Sequence, residues 1–295
     1  MMAKSDNNRG YLNKDLSDKT VVFTGGTDGM GKAAVEKLAA KGATIMLLGR
    51  SKEKTIAVVN ELNNIAGKEN ATYVPCNLAS QQSIRNAATI ILAQCPQIDI
   101  LINCAGINAG ARKITEDKME MSWAVNHLAP FLLNHLLLDR LKKSAPARII
   151  NLSSATEKYG NISLDDIQLV KNWSTFRSYT QAKLVMNMCT RKMAKELVGT
   201  GVTVNALNPG FIKTNLLRDL KGWESIIGIP YMLLCASKPE VGGDRILRMA
   251  LSDEYEDISG QYIYEDTIRA PNPKALDEQL VDKVWEISKN HVGIR

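Results

Sequence analysis

A tyrosine and a lysine four residues apart, in Tyr179-Thr180-Gln181-Ala182-Lys183, are the side chains best placed to do chemistry. The stretch around them, Phe176 to Val198, predicts a helix. Ala182, Leu184, Val185, Met186, Met188, Met193, Ala194 and Leu197 give it an apolar face, and no Gly or Pro interrupts it. Residues four apart on a helix share a face, so the phenol and the ammonium reach one small molecule. A free phenol titrates near pH ~10 and moves protons poorly at neutrality. A neighbouring ammonium favours the phenolate and is expected to lower that value into a useful range. Taken alone, the same spacing also describes a packed ring beside a solvated amine, so the rest of the chain must decide.

The elements that would position this pair read as alternating strands and helices. Thr20 to Thr24 is a short buried strand, followed at once by Gly25-Gly26-Thr27-Asp28-Gly29-Met30-Gly31 and a helix over Lys32 to Lys41. Strand, glycine-rich turn and helix form the setting in which backbone amides and a helix N-terminus receive a pyrophosphate. Ala43 to Leu48 is a second strand, ending in Gly49-Arg50-Ser51. An acid here would bind a ribose 2′-hydroxyl, whereas an Arg accommodates a 2′-phosphate. The acid is absent and Arg50 is present, which favours NADP(H) over NAD(H).

The alternation continues. Helices are expected over 52–65, 81–93, 118–141 and 239–251, with a last one over 274–288, and strands over 72–76, 98–103, 147–152, 202–207 and 261–264. The fold class is therefore α/β: a single Rossmann-type, doubly wound parallel sheet of about seven strands with helices on both faces. Ligands in such sheets bind beyond the carboxyl ends of the strands. Residues 1–17 read as a flexible tail and 18–295 as one domain. Within it, 213–238, with Trp223, Tyr231 and Met232, reads as a lid over an apolar or aromatic substrate.

Composition narrows the partners. The net charge is +6 and the pI about 9.0, but Lys and Arg alternate with acids, which describes a solvated surface rather than a nucleic-acid face. The five cysteines lack Cys-x-x-Cys spacing and the three histidines form no ligand pair, so no metal is indicated. Neither a signal peptide nor a membrane span is legible, which points to a cytoplasmic protein with free thiols.

Six motifs in register resemble the short-chain dehydrogenases/reductases: Thr24-Gly25-x-x-x-Gly29-x-Gly31, Asn103-Cys104-Ala105-Gly106, Asn126, Ser154, Tyr179-x-x-x-Lys183 and Pro209-Gly210. A narrower likeness, to the retinol dehydrogenase-like branch, rests on four stretches and one insert. The stretches are Val125 to Leu133, Leu164-Asp165-Asp166-Ile167, Val202 to Leu207 and Ser259-Gly260-Gln261-Tyr262, and the insert separates Ser154 from Tyr179. That branch acts on lipophilic alcohols and carbonyl compounds, often with NADP(H), and many members carry an N-terminal membrane anchor, which is not seen here.

The resemblance implies a catalytic set of Asn126, Ser154, Tyr179 and Lys183. Tyr179 would exchange the proton, Lys183 would lower its pKa and bond the nicotinamide ribose, Ser154 would steady the substrate oxygen, and Asn126 would hold a water linking Lys183 to solvent. For the cofactor it implies Gly25, Thr27, Asp28, Gly29, Met30 and Gly31 at the pyrophosphate, Arg50 at the ribose, and Asn77 and Leu78 at the adenine. Asn103 would brace the sheet edge while Ala105 and Gly106 allow close approach. Pro209, Gly210, Ile212 and Thr214 would meet the nicotinamide together with Tyr179 and Lys183. Cys104 departs from the usual second Asn, Ala129 from a common Gly, and Met30 from Ile or Leu. Other relatives pair through the helices expected at 118–141 and 176–198, which leaves a homodimer or homotetramer open. Two further readings stay open: a non-catalytic dinucleotide-binding sensor or scaffold, and an NADPH-dependent carbon–carbon double-bond reductase.

Overall fold

Alternation along the strands decides the architecture. Val22, Met46, Leu48, Leu101 and Ile149 point to one face of the sheet and join one apolar core. Val21, Phe23, Ile45, Leu47, Ile100 and Ile102, their neighbours in sequence, join a second core on the other face. A sheet buried on both faces needs strands that are apolar throughout, and β1 (Thr20–Thr24) is buried at all five positions.

The computed structural model describes residues 10–213 and 236–294. Strands β2 (Thr44–Gly49), β3 (Ala71–Pro75), β4 (Ile100–Asn103), β5 (Ala147–Leu152), β6 (Val202–Asn208), β7 (Tyr262–Tyr264) and β8 (Thr267–Arg269) join β1 in one sheet of order β3-β2-β1-β4-β5-β6-β7-β8. The first seven in chain order run parallel; β8 pairs antiparallel with β7, Ile263 facing Ile268. The order in which strands are added switches sides at β1, which pairs with β2 on one side and β4 on the other. A cleft therefore opens above the carboxyl ends of β1 and β4.

Helices α1 (Gly29–Ala40) and α2 (Lys52–Ala66) cover one face, and α3 (Gln81–Gln94) the other. Asp28, Ser51 and Ser80 cap their N-termini by accepting the backbone N–H of Gly29, Lys54 and Ser83 respectively. Beyond them lie α4 (Met121–Trp123), α5 (Ala129–Lys143), α6 (Thr175–Glu196), α7 (Pro239–Leu251) and α8 (Glu278–Val292). Helix α7 approaches α1 closely because it presents Gly242 and Gly243: a Cβ on Gly243 would lie 3.0 Å from the Ala33 Cβ.

The structure departs from the sequence reading in four places. The single helix expected over 118–141 is broken: Lys118 has φ 61°, α4 begins at Met121, and Ala124–Leu128 forms a π-turn before α5. Residues 10–17, read as part of a loose tail, pack on the domain. Gly10–Asn13 is a 3-10 turn, Leu16 is buried, and the Leu16 N–H donates to the Lys41 carbonyl at 2.9 Å. The last helix starts four residues later than expected, after a 3-10 turn at Pro273–Leu276. Strand β8 was not foreseen. Almost all of the lid expected over 213–238 lies outside the described residues, as does Thr214.

Candidate active site

The catalytic candidates converge at the carboxyl ends of β4 and β5. Ser154 follows β5, while Tyr179 and Lys183 face it from α6, one helical turn apart and both buried. The Ser154 hydroxyl accepts from the Thr156 backbone N–H at 3.3 Å and from Thr156 Oγ1 at 3.0 Å. Its own proton is thus left to donate to the Tyr179 phenol, a bond that favours the phenolate. Ser153, the other member of the pair, lines the groove described below, but its hydroxyl is committed: its Oγ donates to Asn187 Oδ1 at 2.8 Å. Lys183 Nζ lies 5.8 Å from the centre of the Tyr179 ring and donates to the Leu152 carbonyl at 2.6 Å.

The electrostatics correct one expectation. Lys183 was expected to depress the Tyr179 pKa. Instead burial pushes Tyr179 up to about 12, with the Ser154 bond only partly opposing it. Burial likewise lowers Lys183 to about 8. Both groups are enclosed in protein, so each resists its charged form.

Asn126 sits in the π-turn, and its amide is committed to the chain: Oδ1 accepts from the Ile107 N–H at 2.8 Å and Nδ2 donates to the Ile107 carbonyl at 2.9 Å. A Cβ placed on Gly106 would lie 3.3 Å from Asn126 Oδ1 and 3.7 Å from Lys183 Nζ, so these groups share one corner. Asn126 therefore holds the Gly106–Ile107 backbone.

From this corner a groove of about 400 Å³ runs past the glycine-rich turn to the end of β2, a size typical of cofactor sites. Gly25, Thr27, Asp28, Gly29, Met30 and Gly31 line one stretch of it; Ala105, Gly106, Tyr179 and Lys183 line the reacting end, and Arg50 the far end. The turn fits a phosphate-bearing ligand because its backbone is bare. A Cβ on Gly25, at φ +77°, would lie 2.5 Å from the Ala105 nitrogen, and one on Gly31 would lie 2.1 Å from the Gly25 carbonyl oxygen. Only glycine allows loop, helix and strand to meet there.

Other predicted residues fall outside the groove lining. Asn77 is exposed and closes its own turn, its Oδ1 accepting from Ala79 N at 3.2 Å, while Leu78 packs against the core. Asn103 is buried and braces the sheet, donating to Asn134 at 2.8 Å and Asn151 at 2.9 Å. The Pro209 carbonyl accepts from Arg245, Gly210 is at φ +78°, and Ile212 bridges to Ser237 beside α7. None of these three stretches, nor Asn126 or Ser154, lines the groove as the described residues form it.

The sequence reading missed Ser51 and Lys54, which flank Arg50 in the groove, and Ile107 and Asn108 beyond Gly106. Lys54 was legible in principle, since the first turn of a helix after β2 faces the same edge as the glycine-rich turn. It is held by Asp28, whose carboxylate lies 3.3 Å from Lys54 Nζ. Cys104 lines the groove, and burial pushes its thiol up to about 12, which leaves it an unreactive packing group at neutral pH.

Comparison with known proteins agrees with this geometry. Residues 19–225 match the short chain dehydrogenase family. Human retinol dehydrogenase 13 is 37% identical over 95% of this chain and 86% of its own length. A dehydrogenase/reductase, SDR family member 13, from Bos taurus is 35% identical over 95% of this chain and 74% of its own. Among solved structures, a short chain dehydrogenase from Burkholderia cenocepacia in complex with NADP superposes with a TM-score of 0.68 at 23% identity, covering 86% of this chain and 98% of its own. The chain thus belongs to the short-chain dehydrogenases/reductases, in the retinol dehydrogenase-like branch, a family of oxidoreductases acting on alcohol and carbonyl groups with a nicotinamide dinucleotide.

Proposed function

We propose that this protein is an NADP(H)-dependent oxidoreductase that interconverts an apolar or aromatic carbonyl compound and its alcohol. The observation that carries the reading is the meeting of Ser154 with Tyr179, beside Lys183, at the end of the glycine-lined groove that Tyr179 and Lys183 line. When bound, the nicotinamide supplies or accepts the hydride. The chain's part is to orient the substrate oxygen and move a proton. Tyr179 donates its phenolic proton to the oxygen as charge develops there, or takes it back in the reverse direction. Ser154 shares its hydrogen bond with that oxygen, and the Lys183 ammonium stabilises the phenolate left behind.

The preference for NADP(H) rests on Arg50, with Ser51 and Lys54 beside it at the ribose end, and on the absence of an acid at the end of β2. Arg presents a fork of donors suited to a phosphate. The apolar substrate class is supported by the relatives' names as retinol dehydrogenases. We place the protein in the cytoplasm, on the ground that the described cysteines Cys76, Cys95, Cys104 and Cys189 are all unpaired.

The test is NADPH oxidation against a panel of aldehydes, ketones and quinones, repeated with NADH. Turnover is expected with NADPH and bulky apolar carbonyl compounds, falling by about 10²-fold or more in Tyr179→Phe. Undiminished turnover in that variant removes Tyr179 as proton donor. Alcohol products, as against saturated carbonyl products, separate carbonyl reduction from double-bond reduction.

A further inference from the structure

A buried carboxylate that the proposed chemistry does not use lies directly behind the catalytic serine. Glu157 stands in the 3-10 turn Ala155–Tyr159, three residues after Ser154, and is 2% exposed. Among the described residues no cation pairs with it. Both its oxygens instead accept the backbone N–H of Asn272, at 3.2 and 3.1 Å. Burial pushes the Glu157 carboxyl above the ordinary carboxylate range, and the Asn272 N–H and then the Asn187 amide, which makes no full hydrogen bond to it, partly oppose that and favour its charge.

Asn272 completes a clamp. Its Nδ2 donates to the carbonyls of Glu157, Lys158 and Gly160, each at 3.1 Å. At the other end of the turn the Ser154 carbonyl accepts the Glu157 N–H at 3.2 Å and the Tyr262 hydroxyl at 3.4 Å. The turn is also pressed on the catalytic helix: a Cβ on Gly160 would lie 2.7 Å from both the Thr180 carbonyl oxygen and the Leu184 Cβ. Three separate elements, the Asn272 segment, β7 and α6, thus converge on the seven residues that begin with Ser154. A neutral side chain could fill the volume of Glu157, but only a carboxylate accepts from Asn272 and faces the Asn187 amide without presenting a donor to either.

We propose that Glu157, clamped by Asn272, is a positioning residue: it fixes the turn so that the Ser154 hydroxyl is aimed at Tyr179. Its role rests on the oxidoreductase reading for any effect on turnover, but the aim of Ser154 can be read without turnover. The polarity of the chain explains the choice of residue. Ser153 donates to Asn187 Oδ1, which orients the Asn187 amide N–H groups toward Glu157. In Glu157→Gln one acceptor becomes a donor, so either Asn187 or the Asn272 N–H meets a like group and the turn shifts.

The experiment has two arms on the full chain. Tyrosine labelled at the ring 13Cζ gives eight resonances, and Tyr179→Phe assigns the one of interest. Ser154→Ala defines the shift that follows loss of the serine bond. Glu157→Gln and Asn272→Ala are each expected to move the Tyr179 resonance in the direction of Ser154→Ala; an unmoved resonance in both overturns the proposal. In the second arm, Glu157→Gln is expected to lower kcat by about tenfold or more, because small misplacements of a catalytic group are costly, while the NADPH Kd changes by less than about twofold. Its melting temperature is expected to stay within about 4 °C, whereas a merely structural role would lower stability and turnover together. A kcat within about twofold of the parent also overturns it. Should Glu157→Gln fail to fold, Asn272→Ala, which keeps the carboxylate, carries both readouts. Absence of turnover in the parent protein would defeat the oxidoreductase reading alone, and the resonance of Tyr179 would still decide this one.

Discussion

At the scale of single residues, the reacting pair is poised for reduction. With Tyr179 at about 12 and Lys183 at about 8, both are protonated at neutral pH, the state a proton donor needs. Carbonyl reduction is therefore expected to fall on the alkaline side as Lys183 loses its charge near pH 8, whereas alcohol oxidation, which needs the phenolate, gains nothing in that range and is favoured only as the pH approaches the Tyr179 value of about 12. Profiles of kcat/KM against pH in both directions check this; a reduction limb that persists in Lys183→Met assigns it to another group. A second titration bears on stability. His127 is buried in the π-turn, and its pKa is lowered from 6.5 to about 3, chiefly by burial. The folded-state value is the lower one, so the unfolded chain takes up the proton first. The stability tied to neutral His127 is complete above pH 6.5 and drains away as the pH falls toward 3, by about 1.4 kcal/mol per unit. Urea unfolding at pH 5 is expected to show a loss of about 2 kcal/mol relative to pH 7 from this group. His127→Gln, which retains a donor for Ser288, flattens that limb. His135 and His291 are lowered in the same sense and keep part of it.

At the scale of elements, the parts that hold the site differ in how they are written. The glycine-rich turn is written in residue type, because close approach of backbone to backbone admits only glycine. Gly31→Ala would set its Cβ against the Gly25 carbonyl, part of the backbone and unable to swing aside. We expect a loss of about 1–3 kcal/mol in chemical unfolding together with weakened NADPH binding. An alanine variant with parental stability and affinity would mean that α1 can slide away from the turn. Strands β1, β5 and β6 were legible because their apolar runs are short and bounded by turn residues. The π-turn was not. Ser122 to Asn134 is buried without exception, so no polar face marks where the helical period slips by one residue. The only cue was Asn126 itself, a polar side chain inside that apolar run, which leaves the helix to bond Ile107. Strand β8 was invisible for the opposite reason. It has three exposed residues, and its hairpin turns at Glu265, which holds φ 56° without the Gly or Asn that usually announces such a turn. The clamp on Glu157 joins residues 115 apart in sequence, and no local pattern carries that information.

At the scale of the whole molecule, the sheet order places the groove, and the last helix decides what remains of the outer surface. Much of the two stretches expected to pair two copies is buried within one chain. Every residue of 122–134 and 178–190 is buried, and α8 supplies part of the cover: Trp285 packs on Phe131 with ring centroids 4.9 Å apart, Ser288 Oγ lies 2.7 Å from His127 Nε2, and Asp282 lies 2.8 Å from Lys192. What α5 and α6 still show to solvent is Asp139, Lys142 and Lys143 on the one and, apart from Phe176, the charged Arg177, Lys195 and Glu196 on the other. Stable interfaces cover roughly 800 Å² on each partner, and their centres are poor in Lys, Glu and Asp. The exposed residues of these two helices do not make a centre of that kind, and we expect the chain to sediment as a monomer with respect to them across micromolar concentrations. Sedimentation equilibrium combined with hydrogen exchange checks the expectation. Protection of 122–134 and 178–190 should be independent of concentration, because the protecting atoms belong to the same molecule; protection that is lost on dilution would show that a second copy, and not α8, covers the catalytic helix.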